Sequence, residues 1–225
     1  ITCRDWSSDV CSSDLQTPRR AQPHPANATR GIRFGRRRFP RRHTVNERIL
    51  VTGGAGFLGS AWVRRLVAVG AQVRVFDNES RGSYRRLDDL GDAVEHLSGD
   101  IRDPEAVDRA VRGMDSVWHF AFINGTRTFY DKPELGLEVG VKGMLHVLDS
   151  AIRHGVSRLF VASSSEVYQT PPLIPTPETV PLSIPDPLNP RYSYAGGKII
   201  SELLSLNYGR SHFDRMTTPD RDQGS

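Results

Sequence analysis

The sequence predicts an α/β fold built on a doubly wound parallel sheet, and three observations carry that prediction. From Arg48 onward, short apolar runs alternate with helix-length amphipathic segments, the pattern of βαβ units. A glycine-rich turn, "VTGGAGFLGS", stands directly between the first apolar run and the first helical segment. The body carries no cysteine, since Cys3 and Cys11 both precede Leu15, so neither a disulfide framework nor a thiolate metal site shapes it.

Each element follows from its local pattern. "RILVTG" reads as a buried strand, and the helix through "GSAWVRRLVAVG" ends at Gly70, a C-cap. "QVRVFD" is the second strand and "VEHLSGD" the third. Asp103 then caps a helix whose first position is Pro104. "DSVWHFAF" is the fourth strand, followed by a long helix from about Pro133 to His154 that closes at Gly155. "SRLFVASS" is the fifth. Residues 171–190 hold eight of the fifteen prolines, too many for either regular element. A last helix runs from about Tyr192 to Tyr208. One domain, residues 46–215, accounts for all of this, and there is no internal repeat.

The 225 residues carry a net charge of +4, unevenly placed. Residues 16–43 hold nine arginines and no acid, and residues 1–15 carry −2, which leaves −3 from Thr44 onward. A mildly acidic body argues against a nucleic-acid partner. No apolar run reaches the ~20 residues of a membrane span, so no membrane partner is expected. A cysteine-free body fits a cytoplasmic location. "DWSSDVCSSDL" resembles a translated sequencing adapter, and residues 1–15 are read as an assembly artefact. Residues 16–45 read as a disordered Arg-rich tail, with translated upstream DNA or a transit peptide as the other origins.

In the turn after the first strand, Gly53, Gly56 and Gly59 form G-x-x-G-x-x-G, with Phe57 and Leu58 inside it. Small residues let the backbone turn tightly, let a pyrophosphate approach the helix N-terminus, and let helix pack on strand. Asp77 ends the second strand eighteen residues after Gly59. A carboxylate there accepts both hydroxyls of an adenosine ribose and repels a 2′-phosphate, which favours NAD over NADP. Arg81, Arg85 and Arg86 nearby read as a solvated helix face.

Toward the other end, "YSYAGGKIISELL" offers two tyrosines and one lysine. Tyr194 has Lys198 four residues on, one helical turn away on the same face. An ammonium beside a phenol favours the phenolate and suits it to take a proton from a sugar hydroxyl. Gly196 and Gly197 each cost a helix roughly 1 kcal/mol relative to alanine, which points to close packing on that face. "FVASSSEVY" brings three serines to the carboxyl end of the fifth strand, where open α/β sheets bind ligands. The seven histidines show no metal-ligand spacing, and His119 reads as packed or cofactor-adjacent.

These pieces together resemble the extended short-chain dehydrogenase/reductase family, in particular its NAD-dependent nucleotide-sugar epimerases and dehydratases, over roughly residues 46–215. The resemblance implies a Rossmann NAD-binding fold that stops before the last strands and the substrate-binding region. It places the catalytic set on Ser164, Tyr194 and Lys198. It also matches Asp77 and Asn78 to a ribose-binding pair, Asp100 and Ile101 in "SGDIRD" to an adenine-binding dipeptide, and Phe120 and Ala121 to the segment lining the cofactor. Glu166 stands where dehydratases and decarboxylases of the family carry an acid. The implied chemistry is transient oxidation at C4 of a nucleotide-diphosphate sugar. Tyr194 accepts the hydroxyl proton, Lys198 supports the phenolate and holds the nicotinamide ribose, and Ser164 bonds the sugar oxygen. The keto intermediate then inverts, loses water or loses carbon dioxide. A homodimer is implied for the full-length protein.

Three positions depart from the family pattern. Gln169 replaces the glycine that follows Val-Tyr, "FINGTRTFY" is an unusual continuation of the fourth strand, and Gly140 stands where many members have asparagine. "YGRSHFDR" reads as the approach to a further strand, while "MTTPDRDQGS", residues 216–225, reads as a disordered or frameshifted end. The chain is therefore expected to be a fragment that does not turn over a sugar by itself. Epimerase, 4,6-dehydratase and decarboxylase stay open as activities. A non-catalytic NAD-binding module and a simple alcohol-type dehydrogenase are the readings from other classes.

Overall fold

The structure is a computed structural model that describes residues 46–212. The expectations for residues 1–15, 16–45 and 216–225 fall outside the described residues. Five strands form one parallel sheet: β1 (Arg48–Thr52), β2 (Gln72–Asp77), β3 (Val94–Ser98), β4 (Ser116–His119) and β5 (Arg158–Val161). Their order is β3-β2-β1-β4-β5. Ile49 pairs with Val73 on one side and Ser116 on the other, so β1 is central. After β3 the chain crosses back to lay β4 on the far side of β1. That reversal opens a crevice at the carboxyl ends of β1 and β4.

The apolar run of β1 is continuous because both of its faces are buried. Leu50 points into a cluster with Phe76, Val107, Val117 and Val147, while Ile49 and Val51 point into another with Val63, Leu66, Val75 and Leu87. Helices α2 (Pro104–Val111) and α5 (Met144–Arg153) cover the first face, and α1 (Phe57–Ala68) covers the second. Each fully buried Val, Leu or Ile stabilises this arrangement by about 1.5–3 kcal/mol. Asp103 caps α2, its carboxylate accepting the N–H groups of Glu105 and Ala106, with Pro104 first in the helix.

The segment between β4 and β5 differs from its sequence reading. A short helix, α3 (Thr126–Asp131), precedes it, and the expected long helix is α4 (Pro133–Leu137), one wide π turn (Glu138–Gly143) and then α5. The wide turn has an identifiable cause in two glycines that admit neighbouring side chains. A Cβ on Gly140 would lie 2.4 Å from Phe122, and one on Gly143 would lie 2.8 Å from Ile101. The Gly140 carbonyl accepts the Ser201 hydroxyl at 2.9 Å, from α6 (Ser193–His212). Helix α6 runs through "YGRSH", which read as an approach to a strand. Residues 171–189 contain no helix or strand, in keeping with their prolines, and Pro190 opens one short 3-10 turn, Pro190–Tyr192.

Candidate active site

The glycine turn is built as the motif demands. Gly53 has φ +70°, the left-handed region that favours glycine, and a Cβ there would lie 2.6 Å from the Ala121 amide. A Cβ on Gly59 would meet the Gly53 carbonyl oxygen at 2.1 Å. Among the described residues, the one atom close to a Cβ on Gly56 would be that same oxygen, at 3.1 Å, so the turn presents bare backbone there. Helix α1 starts with no side-chain cap and no acid in its first turn. Its free N–H groups and positive dipole end suit a pyrophosphate. Phe57 and Leu58 are 85% and 58% exposed at this helix start.

Asp77 closes β2 at 9% exposure. One carboxylate oxygen accepts the Ala55 N–H at 3.0 Å and the other the Glu79 N–H at 2.8 Å. A carboxylate has about four acceptor sites, so both oxygens keep a lone pair for a ribose hydroxyl. Asn78 donates to Asp100 at 3.1 Å, tying the ends of β2 and β3 together. Asp100 is held by Arg102 and lies low, at about 2, because the guanidinium hydrogen bond favours its charged form. Ile101 is buried beneath Gly143. Phe120 and Ala121 approach the glycine turn through their backbone, both amides being held by Thr52.

Three residues the sequence reading missed support this half. Gly82 lies so close to Ala55 that a Cβ would meet its carbonyl carbon at 2.6 Å. Arg86, read as part of a solvated face, is exposed and also donates to the Ala55 carbonyl at 2.9 Å. The Tyr84 hydroxyl donates to the Leu97 carbonyl at 2.8 Å and lies within bonding distance of both backbone groups of Asp77. Burial pushes its phenol up to about 12. A glycine soon after "DNES" signals a turn, but nothing local says which backbone that turn clamps.

Tyr194 and Lys198 sit one turn apart on α6, 8% and 5% exposed. Ser164 follows β5, caps the short turn Ser165–Tyr168 by accepting the Glu166 N–H, and acts on the Tyr194 phenol. Glu166 stands exposed beside them and its charge acts on the tyrosine. The Lys198 ammonium donates to the Ala162 carbonyl at 2.7 Å and lies 4.1 Å from the centre of the Phe122 ring. Burial brings this amine down to about 8, with Glu202 opposing. The Tyr194 phenol is pushed up, not down as the spacing with Lys198 predicts. Burial is the main cause and Glu166 adds to it, while the Ser164 hydrogen bond opposes them. Shared helical face does not fix where the ammonium points, and here it points at Ala162 and Phe122.

The packing expected at the glycine pair holds at Gly197, where a Cβ would lie 3.0 Å from Phe122. At Gly196 the nearest atom, Ile184 Cδ1, is at an ordinary 3.6 Å. His119 is buried and neutral, its imidazole lowered to about 3 by desolvation and by Lys198, with Nδ1 2.7 Å from the Thr52 hydroxyl. Among the described residues, no cluster of His, Cys, Asp or Glu is placed to hold a metal ion, and no helix is long and apolar enough to cross a membrane.

Comparison with known proteins agrees with this geometry. The chain is 35% identical over 173 residues to a dTDP-glucose 4,6-dehydratase of Mycobacterium tuberculosis, covering 76% of this chain and 51% of that protein. It is 36% identical over 169 residues to UDP-glucose 4-epimerase 4 of Oryza sativa subsp. japonica, covering 71% and 44%. The solved Thermus thermophilus UDP-glucose 4-epimerase complex with NAD superposes with a TM-score of 0.64 at 34% identity, over 73% of this chain and 51% of that one. The chain thus spans about half the length of the curated relatives it matches. Residues 49–218 match a single family over most of the described domain. The chain belongs to the NAD dependent epimerase/dehydratase family.

Proposed function

We propose that the whole protein is an NAD-dependent nucleotide-sugar epimerase or dehydratase that works by transient oxidation at sugar C4. One observation carries this reading: Tyr194, Lys198 and Ser164 converge at the carboxyl end of the sheet, on the crevice side of the glycine turn. A non-catalytic NAD-binding module has no use for that convergence. Gly53, Gly56 and Gly59 would hold the pyrophosphate, with Phe57 and Leu58 beside it, and Asp77 with Asn78 the adenosine ribose. Asp100, Ile101, Phe120 and Ala121 would line the remainder.

When bound, NAD supplies a two-electron acceptor next to the carbon that bears the reacting hydroxyl. The protein's own groups manage the proton. Tyr194, as phenolate, takes it from the C4 hydroxyl. A phenol raised by burial makes a strong base once ionised, so its ionisation relies on a positive neighbour and a hydrogen bond. Lys198, one turn away, is the cation at hand, with its ammonium held on Ala162 and Phe122 in this structure, and Ser164 acts on the phenol in the lowering direction. Burial of Tyr194 and Lys198 keeps bulk water from competing for that proton.

The exposed carboxylate of Glu166 beside Tyr194 favours a dehydratase or decarboxylase, a lyase, over simple inversion by an isomerase, since a second proton must move next to the keto group. The same reading takes the whole protein to be a cytoplasmic homodimer. Incubating the full-length protein with UDP-glucose and with dTDP-glucose and following products by NMR tests the assignment. An inverted or dehydrated sugar without net accumulation of NADH supports it. Stoichiometric NADH would indicate a simple dehydrogenase instead.

A further inference from the structure

We propose that Phe122 is a positioning residue of the proton-transfer pair: its ring is the face that holds the Lys198 ammonium and the wedge that sets the Tyr194 ring, and Gly140 and Gly197 are glycines because they seat it. The inference rests on the reading of Tyr194 and Lys198 given above. Phe122 opens "FINGTRTFY", so the unusual segment after β4, the glycine in asparagine's place and the glycine pair of α6 belong to one packing unit.

The geometry is specific. The Phe122 ring meets the Tyr194 ring edge-on, at 5.1 Å and 83°, while its centre lies 4.1 Å from Lys198 Nζ. Cβ atoms on Gly140 and Gly197 would lie 2.4 and 3.0 Å from its Cζ. Phe129, from α3, packs against Tyr194 at 5.4 Å and 31°. The segment after β4 therefore supplies two rings that fix the orientation of the tyrosine.

For Lys198 the ring does more than fill space. An ammonium at 5% exposure that donates to the Ala162 carbonyl needs further stabilisation, and an aromatic face supplies it. Other titratable groups around the pair are Glu202 on α6, neutral His119 on β4 and Glu166 after β5. Glu202 also takes a hydrogen bond from Ser163. A leucine at position 122 would preserve the apolar filling and abolish the cation-binding face. The two roles are therefore separable.

The test uses the full chain labelled with 13Cε-lysine. Residues 1–225 hold three lysines, Lys132, Lys142 and Lys198, and the first two are more accessible to solvent, so they act as internal references. The signal that disappears in Lys198→Met is that of Lys198. The wild-type Lys198 signal should titrate with a midpoint near 8. Phe122→Leu should lower that midpoint by about 0.4 to 1.5 units, while Phe122→Tyr should leave it in place. Gly140→Ala, which pushes the ring away without deleting it, should also lower it. A midpoint unchanged or raised in Phe122→Leu overturns the proposal, and should the leucine variant fail to fold, an unchanged or raised midpoint in Gly140→Ala overturns it equally. The signal is read without substrate or cofactor. A catalytically silent Tyr194→Phe would thus refute the proton-transfer reading while leaving the grip of Phe122 on Lys198 measurable.

Discussion

The carboxylate of Asp77 accepts the backbone N–H of Ala55 at 3.0 Å, so the residue matched to the ribose also braces the glycine turn. Binding and local stability therefore share one side chain. Asp77→Ala would strip the Ala55 amide of its acceptor at a buried position, which costs about 1–3 kcal/mol. Urea unfolding should show a loss of that size. Calorimetric titration should show NAD affinity falling by at least about tenfold, the equivalent of one good hydrogen bond. Unchanged affinity would remove Asp77 from the cofactor site.

The glycines of the chain make opposite predictions. Gly59→Ala forces a Cβ to within 2.1 Å of the Gly53 carbonyl, and no flexible side chain is there to yield. Overpacking of this kind costs about 1–3 kcal/mol, and NAD binding should be lost with the turn. Gly196→Ala meets its nearest neighbour at 3.6 Å inside a helix. It should gain about 0.5–1 kcal/mol from helix propensity, seen as a higher unfolding midpoint.

Asp100 predicts an acid limb in the stability curve. Arg102 holds its carboxyl at about 2, below the ordinary 3.8. A depressed carboxyl contributes stability above the unfolded value, and that contribution disappears as pH falls through the folded one. The loss should run from about pH 4 to pH 2 and amount to about 1–2 kcal/mol after allowance for partial exposure. Denaturation at a series of pH values should show this limb flattened in Asp100→Asn. An identical limb in the variant would assign the loss to other carboxylates.

Local periodicity made the framework legible. Strands buried on both faces read as continuous apolar runs, as in β1, and the interval from Gly59 to Asp77 fits one helix and one strand. The proline run excluded regular structure from residue 171 to residue 189, and a short 3-10 turn begins at Pro190. What stayed hidden depends on meetings between distant elements. Phe122, Gly140 and Gly197 come from a loop, a wide turn and a helix, and each looked like an isolated departure. The spacing of Tyr194 and Lys198 fixed a shared face but not the direction of Nζ, which Ala162 and Phe122 decide. Arg86 is exposed as read, but its bond to the Ala55 carbonyl, thirty-one residues earlier, had no local signal.

The most direct test of the account is turnover of a nucleotide sugar by the full-length protein carrying Tyr194→Phe, with NAD affinity measured on the same sample. The substitution keeps the ring that packs against Phe122 and Phe129 and removes the hydroxyl alone. The account predicts turnover reduced by about 10²–10⁴-fold, the usual contribution of a positioned acid–base group, with NAD binding retained. Turnover equal to wild type would contradict it and take the proton-transfer role away from Tyr194.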